Sequence, residues 1–133
     1  MQQFDKFKAE QIFSEAEKLF HEHRFNEAFD LFKEIIEIKE IDNELKAEAY
    51  NMLGLIVLWD PEIDLLDESG ISYYKKAIAL DANCISALSN IFTLYGDKVD
   101  NHTDFELFKY SIGKLRELNF EFSSDELKKI NKY

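Results

Sequence analysis

Between residues 4 and 22 the apolar positions Phe7, Ile12, Phe13, Ala16, Leu19 and Phe20 recur at helical spacing, and charged residues fill the opposite face. That period predicts one amphipathic helix. His21-Glu22-His23-Arg24 makes a polar corner, after which Ala28, Phe29, Leu31, Phe32, Ile35, Ile36 and Ile38 form a second stripe. Each stripe needs the other to leave water. Asp42 or Asn43 is placed to cap a third helix, since either side chain can accept a hydrogen bond from a free amide of the next turn. This helix carries Leu45, Ala49, Tyr50, Met52, Leu53, Leu55, Ile56, Val57, Leu58 and Trp59. Its second half is apolar all round, the mark of a helix buried among others or of one whose spare face binds something.

Asp60-Pro61 ends the third helix, because proline lacks an amide donor and biases the residue before it away from helix. A short acidic segment follows through Asp67, and a fourth helix is expected from about Leu66 to Leu80 with Ile71, Tyr74, Ala77, Ile78 and Leu80 inward. A fifth covers about Asn83 to Tyr95 and is stopped by Gly96-Asp97. Thr103-Asp104-Phe105-Glu106 has the form of a capping box and opens a sixth helix, with Phe105, Phe108, Ile112, Leu115 and Leu118 on its inner side. A second box, Ser123-Ser124-Asp125-Glu126, opens a last short helix ending near Lys132. No linker divides the chain, so the pattern predicts one all-α domain over residues 1–133. Its antiparallel helix-turn-helix pairs fall at about 4–40, 43–81 and 83–118, with a capping helix at about 124–132.

Six helices in short-connected pairs suggest a stack of repeats, and three stretches align: Ile12-Phe13-Ser14-Glu15-Ala16-Glu17-Lys18-Leu19, Tyr50-Asn51-Met52-Leu53-Gly54-Leu55-Ile56-Val57 and Leu88-Ser89-Asn90-Ile91-Phe92-Thr93-Leu94-Tyr95. The partner helices match as well, Phe25-Asn26-Glu27-Ala28-Phe29-Asp30-Leu31-Phe32 with Gly70-Ile71-Ser72-Tyr73-Tyr74-Lys75-Lys76-Ala77. Together these resemble the tetratricopeptide (TPR-like) repeat over about residues 9–118, whose small residues let paired helices approach closely. The resemblance implies a short α-solenoid of six to seven helices. The family's repeat is about 34 residues, whereas Ala16, Gly54 and Phe92 stand 38 apart in this chain. The extra residues around Trp59 to Leu66 lie between the helices of a pair, as in the related Sel1-like repeats, although the glycine-rich turn of those repeats is missing.

Composition narrows the class of function. The 133 residues are enough for one hydrophobic core. Cys84 is the only cysteine, which rules out an internal disulfide and a thiolate zinc site and fits a reducing cytoplasm. The first residues carry no basic segment followed by an apolar one, and the longest apolar run, Met52 to Trp59, is too short to span a bilayer. Of the net charge of −11, residues 1–66 hold 7 Lys+Arg against 16 Asp+Glu, and residues 67–133 hold 9 against 11. A field of that sign repels nucleic acid and anionic membranes and attracts basic protein partners.

In the tetratricopeptide family the first helix of each pair lines a concave groove. The resemblance therefore points to Glu10, Phe13, Ser14, Glu17 and His21, then Glu48, Asn51, Met52, Leu55 and Trp59, then Ser86, Ser89, Asn90 and Thr93. Without a groove, Phe13, Met52 and Leu55 read as core and the carboxylates as a solvated face. Relatives that clamp the carboxylate of heat-shock chaperones use cations, and here the matching positions hold Phe13, Glu17, Glu48, Met52, Ser86 and Asn90, which argues against that clamp. His21 and His23 diverge on a helix, and Glu17 with His21 makes only two ligands, so no metal site is expected. His102 beside Asp100 reads as an ordinary loop residue. The acids Asp60, Glu62, Asp64, Asp67 and Glu68 lack the glycine and spacing of a calcium loop. Cys84 at a helix start reads as packing, and Lys128, Lys129 and Lys132 as the polar face of a cap. No phosphate loop, serine elbow or zinc pattern exists to support an enzyme or a cofactor. Two expectations remain: a non-catalytic module binding a basic or amphipathic segment of another protein, or an acidic immunity or inhibitor protein that covers a cationic enzyme such as a nuclease toxin.

Overall fold

A computed structural model of the chain describes residues 2–64, 69–95 and 105–133. All regular structure among these residues is helical: α1 (Gln2–His21), α2 (Phe25–Ile36), α3 (Asn43–Trp59), α4 (Pro61–Asp64), α5 (Gly70–Leu80), α6 (Ile85–Leu94), α7 (Phe105–Glu117) and α8 (Ser124–Lys132). The expected start of the fourth helix near Leu66, the Gly96-Asp97 stop, the Thr103-Asp104 box and His102 lie outside the described residues.

The pairing follows from which residues meet. Phe13 contacts Phe32 and Phe20 contacts Phe25, at ring centroids 5.3 and 5.5 Å apart, so α1 and α2 run antiparallel. Phe92 with Phe108 and Tyr95 with Phe105 make α6 and α7 antiparallel in the same way. Among the described residues the most extensive helix–helix contact joins α3 to α5. It is close because both helices present glycine: a Cβ on Gly54 would lie 2.9 Å from the Gly70 carbonyl oxygen, and one on Gly70 would lie 3.0 Å from that of Gly54.

The first helices of the three pairs lie side by side in parallel, and the spacing between them repeats. Lys6 meets Asp42 and Phe20 meets Trp59 across α1 and α3. Glu48 meets Cys84 and Asn51 meets Asn90 across α3 and α6. The sequence offset is 36 residues near the N-terminal ends and 39 further along, in both steps. One structural unit is therefore translated along the chain, in agreement with the 38-residue step read between Ala16, Gly54 and Phe92.

The main apolar cluster gathers Ala16, Leu19, Phe32, Ile35, Leu53 and Ile56 with Tyr73 of α5. A second joins Leu88 and Phe92 of α6 to Phe108, Ile112 and Leu115 of α7, and Phe122 and Ile130 of the C-terminal segment pack against it. Phe7 departs from the expected inner stripe. It is 62% exposed and lies on the face of α1 opposite buried Ala9 and Ala16.

Helix ends follow local chemistry. α1 closes with His23 in the left-handed region, φ 61°, where its amide donates to the Phe20 carbonyl and that of Arg24 to the Leu19 carbonyl. Asn119, φ 60°, repeats this closure after α7. Asp42 stands at the N-cap of α3 but its side chain caps no amide; the carboxylate pairs with Lys6 at 2.9 Å instead. Ser69 caps α5 by accepting from the Ser72 amide, and the Ser123–Glu126 capping box of α8 is complete. Pro61 both follows the end of α3 and opens the single turn α4, a position whose amide is unused in any helix.

Candidate functional site

Along α3 the residues Glu48, Met52, Leu55 and Trp59 succeed one another at intervals of four, three and four, which puts them on one face of the helix. α1 flanks this face on one side and α6 on the other, so the stripe forms the floor of a shallow trough with chemically different ends.

At one end a cleft of about 480 Å³ is lined by the carboxylates of Glu10, Asp42, Glu44, Glu48 and Asp81, with Lys6 as its one lysine. The hydrogen bond and charge of Asp42 raise the Lys6 pKa, which fixes that lysine as a cation. Cys84 also borders the cleft and donates from Sγ to Glu48 Oε1 at 3.5 Å. Burial first, and then the negative charges of Glu48 and Asp81, push this thiol from 9.0 up to about 12. Cys84 is thus held as a neutral thiol and has no nucleophilic character near neutral pH.

The middle of the trough is closed by an amide pair. Asn90 donates from Nδ2 to Asn51 Oδ1 at 2.8 Å. Asn51 is 3% exposed, so its polar group is spent on joining α3 to α6. At the far end Leu55, Leu58, Trp59, Tyr74, Asn90, Thr93 and Leu94 surround a cleft of about 220 Å³. Trp59 is 59% exposed there, with the Phe20 ring 6.2 Å away on the α1 side. An indole left that open, in a chain that buries aromatics such as Tyr73 and Tyr74 almost completely, calls for an explanation.

The residues singled out from the sequence therefore divide. Glu10 and Glu48 meet in the acidic cleft, and Leu55, Trp59, Asn90 and Thr93 meet in the apolar one. Met52 is half-buried against the main cluster and forms floor between them. Phe13 is half-buried edge-on to Phe32, where it fills the α1–α2 interface and offers little outward area. Asn51 is consumed by Asn90. Glu17 and His21 are exposed, and the His21 ring lies edge-on to Phe20 at 5.5 Å. Ser14 is exposed in a depression beside Phe7 and does not line the acidic cleft. Ser86 and Ser89 are half-buried.

Leu58, Leu94 and Asp81 border the clefts without having been singled out; only Leu58 left a signal, as part of the all-round apolar half of α3. Of the loop acids, Asp60 accepts from the Glu62 amide at 3.0 Å, an ordinary turn contact, while Asp67 and Glu68 lie outside the described residues. Among the described residues no three His, Cys, Asp or Glu side chains come together as a metal site, and no helix is long and apolar enough to cross a membrane. No protein-family model, curated protein sequence or solved structure matches this chain.

Proposed function

We propose that this chain is a non-catalytic, TPR-like protein-interaction module of the cytoplasm that takes a basic or amphipathic segment of a partner protein along the α1–α3–α6 trough. The observation that carries the reading is the α3 stripe, which runs from a carboxylate-lined cleft at Glu48 to an exposed indole at Trp59. The repeated offset of 36 to 39 residues between parallel first helices supports the resemblance to tetratricopeptide repeats.

The trough sets a length. Glu48 and Trp59 are separated by about 16 Å at 1.5 Å of helix rise per residue. An extended chain covers that distance in about five residues. A segment with lysine or arginine at one end and a large apolar residue about five positions away engages both clefts at once. The overall charge of −11 raises the rate at which such a cation arrives. Desolvation of the indole at the other end then slows its departure.

Trp59 is the only tryptophan, so its fluorescence reads the trough directly. Titration with a peptide of that spacing is expected to shift the emission to the blue, with salt weakening the binding. Leu55→Glu should abolish the shift, and the paired change Glu10→Gln with Glu48→Gln should weaken binding about tenfold and flatten its salt dependence. A peptide of the same composition in scrambled order that binds equally well would refute the reading. Tight inhibition of a folded cationic enzyme, with no response to any isolated segment, would replace it by that of an inhibitor.

A further inference from the structure

The two ends of the helix stack are chemically unlike. On α1, Phe7 is the most exposed large apolar side chain among the described residues, and Glu10 and Glu15, with Lys18, share the depression around it. At the other end a groove of about 320 Å³ opens between α7 and α8. Phe108 and Ile112 of α7, Ile130 of α8 and the following Tyr133 line it, and its cationic groups are Arg116 and Lys109, the latter also paired with Glu106 at 3.1 Å.

The groove also contains Gly113, where an added Cβ would meet nothing within 4 Å. Glycine inside a helix costs stability. At Gly54 the chain recovers that cost through the close approach of α5. At Gly113 none of the described residues outside its own helix comes within 4 Å of the added Cβ, so the space is open to something from outside.

Charge says what fits. Residues 105–133 hold 6 Lys+Arg against 5 Asp+Glu, a balance of +1, whereas residues 1–104 hold 10 against 22, a balance of −12. The groove sits on a part of the chain that is not strongly acidic, and it faces a solution in which every other copy presents the acidic residues of its N-terminal half.

We propose that the α7–α8 groove receives the Phe7 face of α1 from a second copy of this chain, joining copies head to tail. The Phe7 ring fills the space over Gly113, while Glu10 and Glu15 come opposite Lys109 and Arg116. Because the two surfaces differ, the contact is heterologous and does not close on itself at two copies. One aromatic knob with a few exposed ion pairs makes a small interface, so the association is weak and falls with salt.

Sedimentation velocity from micromolar to millimolar concentration tests this. The mean mass of the natural chain is expected to rise with concentration, and Phe7→Glu and Gly113→Leu are each expected to stay monomeric with unchanged circular dichroism. An equimolar mixture of the two variants should form dimers and stop there, since one retains only its groove and the other only its knob. Lys109→Glu combined with Arg116→Glu touches only the charged groups of the groove and should weaken self-association by about tenfold or more. A natural chain that remains monomeric throughout would overturn the proposal, as would association in either single variant. A mixture that stays monomeric while the natural chain associates would show a symmetric contact instead and would overturn it equally.

Discussion

Replacing Gly54 with alanine sets two effects of known size against each other. Helix propensity alone favours the change by about 1 kcal/mol, since glycine is the poorest non-proline residue in a helix interior. The structure opposes it. The new Cβ would stand 2.7 Å from Cε1 of Tyr74 and 2.9 Å from the Gly70 carbonyl oxygen. Tyr74 is buried and cannot swing away, and the carbonyl belongs to the backbone of α5, so relief requires moving a helix. Overpacking of this kind costs about 1–3 kcal/mol, and a backbone obstacle belongs at the upper end. The net expectation is a loss of about 2 kcal/mol. Gly113→Ala is the matched control, because the same chemical change there meets nothing within 4 Å and keeps only the propensity gain of about 1 kcal/mol. Urea unfolding followed by far-ultraviolet circular dichroism should place the midpoints of the two variants on opposite sides of the natural protein. In thermal unfolding each kcal/mol corresponds to roughly 3–5 °C for a chain of this size. A Gly54→Ala protein as stable as the natural one, or a destabilised Gly113→Ala, would show that the α3–α5 approach does not control stability as described.

Other outcomes follow from single contacts. Lys129 donates from Nζ to the Phe92 and Thr93 carbonyls at 2.8 and 2.9 Å, where its charge also opposes the negative end of α6. Lys129→Met should lower the unfolding free energy by about 1–2 kcal/mol, and Lys128→Met, at an exposed position, by less than about 0.5 kcal/mol. Cys84 should resist thiol reagents until the protein unfolds. Because its folded pKa is raised from 9.0 to about 12, the unfolded chain releases the thiol proton first as pH rises. Its contribution to stability is complete below pH 9.0 and is lost progressively up to about 12. Cys84→Ala should therefore flatten the alkaline loss of stability.

Seven of the eight described helices were legible in the chain because they have an apolar period or clear end signals; the single turn α4 was not, since Pro61–Asp64 reads as part of an acidic segment. Ser123-Ser124-Asp125-Glu126 forms the box its residue types predict, since both partners are local. Asp42 misled for the opposite reason: its capping chemistry is local, but Lys6, distant in sequence, competes for the same carboxylate and takes it. Ser69, which caps α5, stands out little in the chain because it follows an acidic segment that offers no helical period. Phe7 fits a helical stripe by number alone, yet its angle on α1 carries it round to the far side from Ala9 and Ala16. At the site, the α3 stripe followed from spacing, whereas the Asn51–Asn90 bond joins residues 39 apart and has no signature in either segment. The exposure of Trp59 was equally hidden, since an all-round apolar helix says nothing about which face remains uncovered.

That amide pair has a consequence for how the molecule comes apart. α1 to α3 share one apolar cluster and α6 to α8 another, and the boundary between them is bridged by α5, whose Ile71 and Tyr74 pack on Ile91 and Leu94, by alanines and by Asn51 with Asn90. Water replaces an amide hydrogen bond almost fully once the helices part, whereas it gives nothing back for separated leucines and phenylalanines. The chain thus carries a seam of mixed character, and native-state hydrogen exchange is expected to show amides of the last three helices opening before those of the first three.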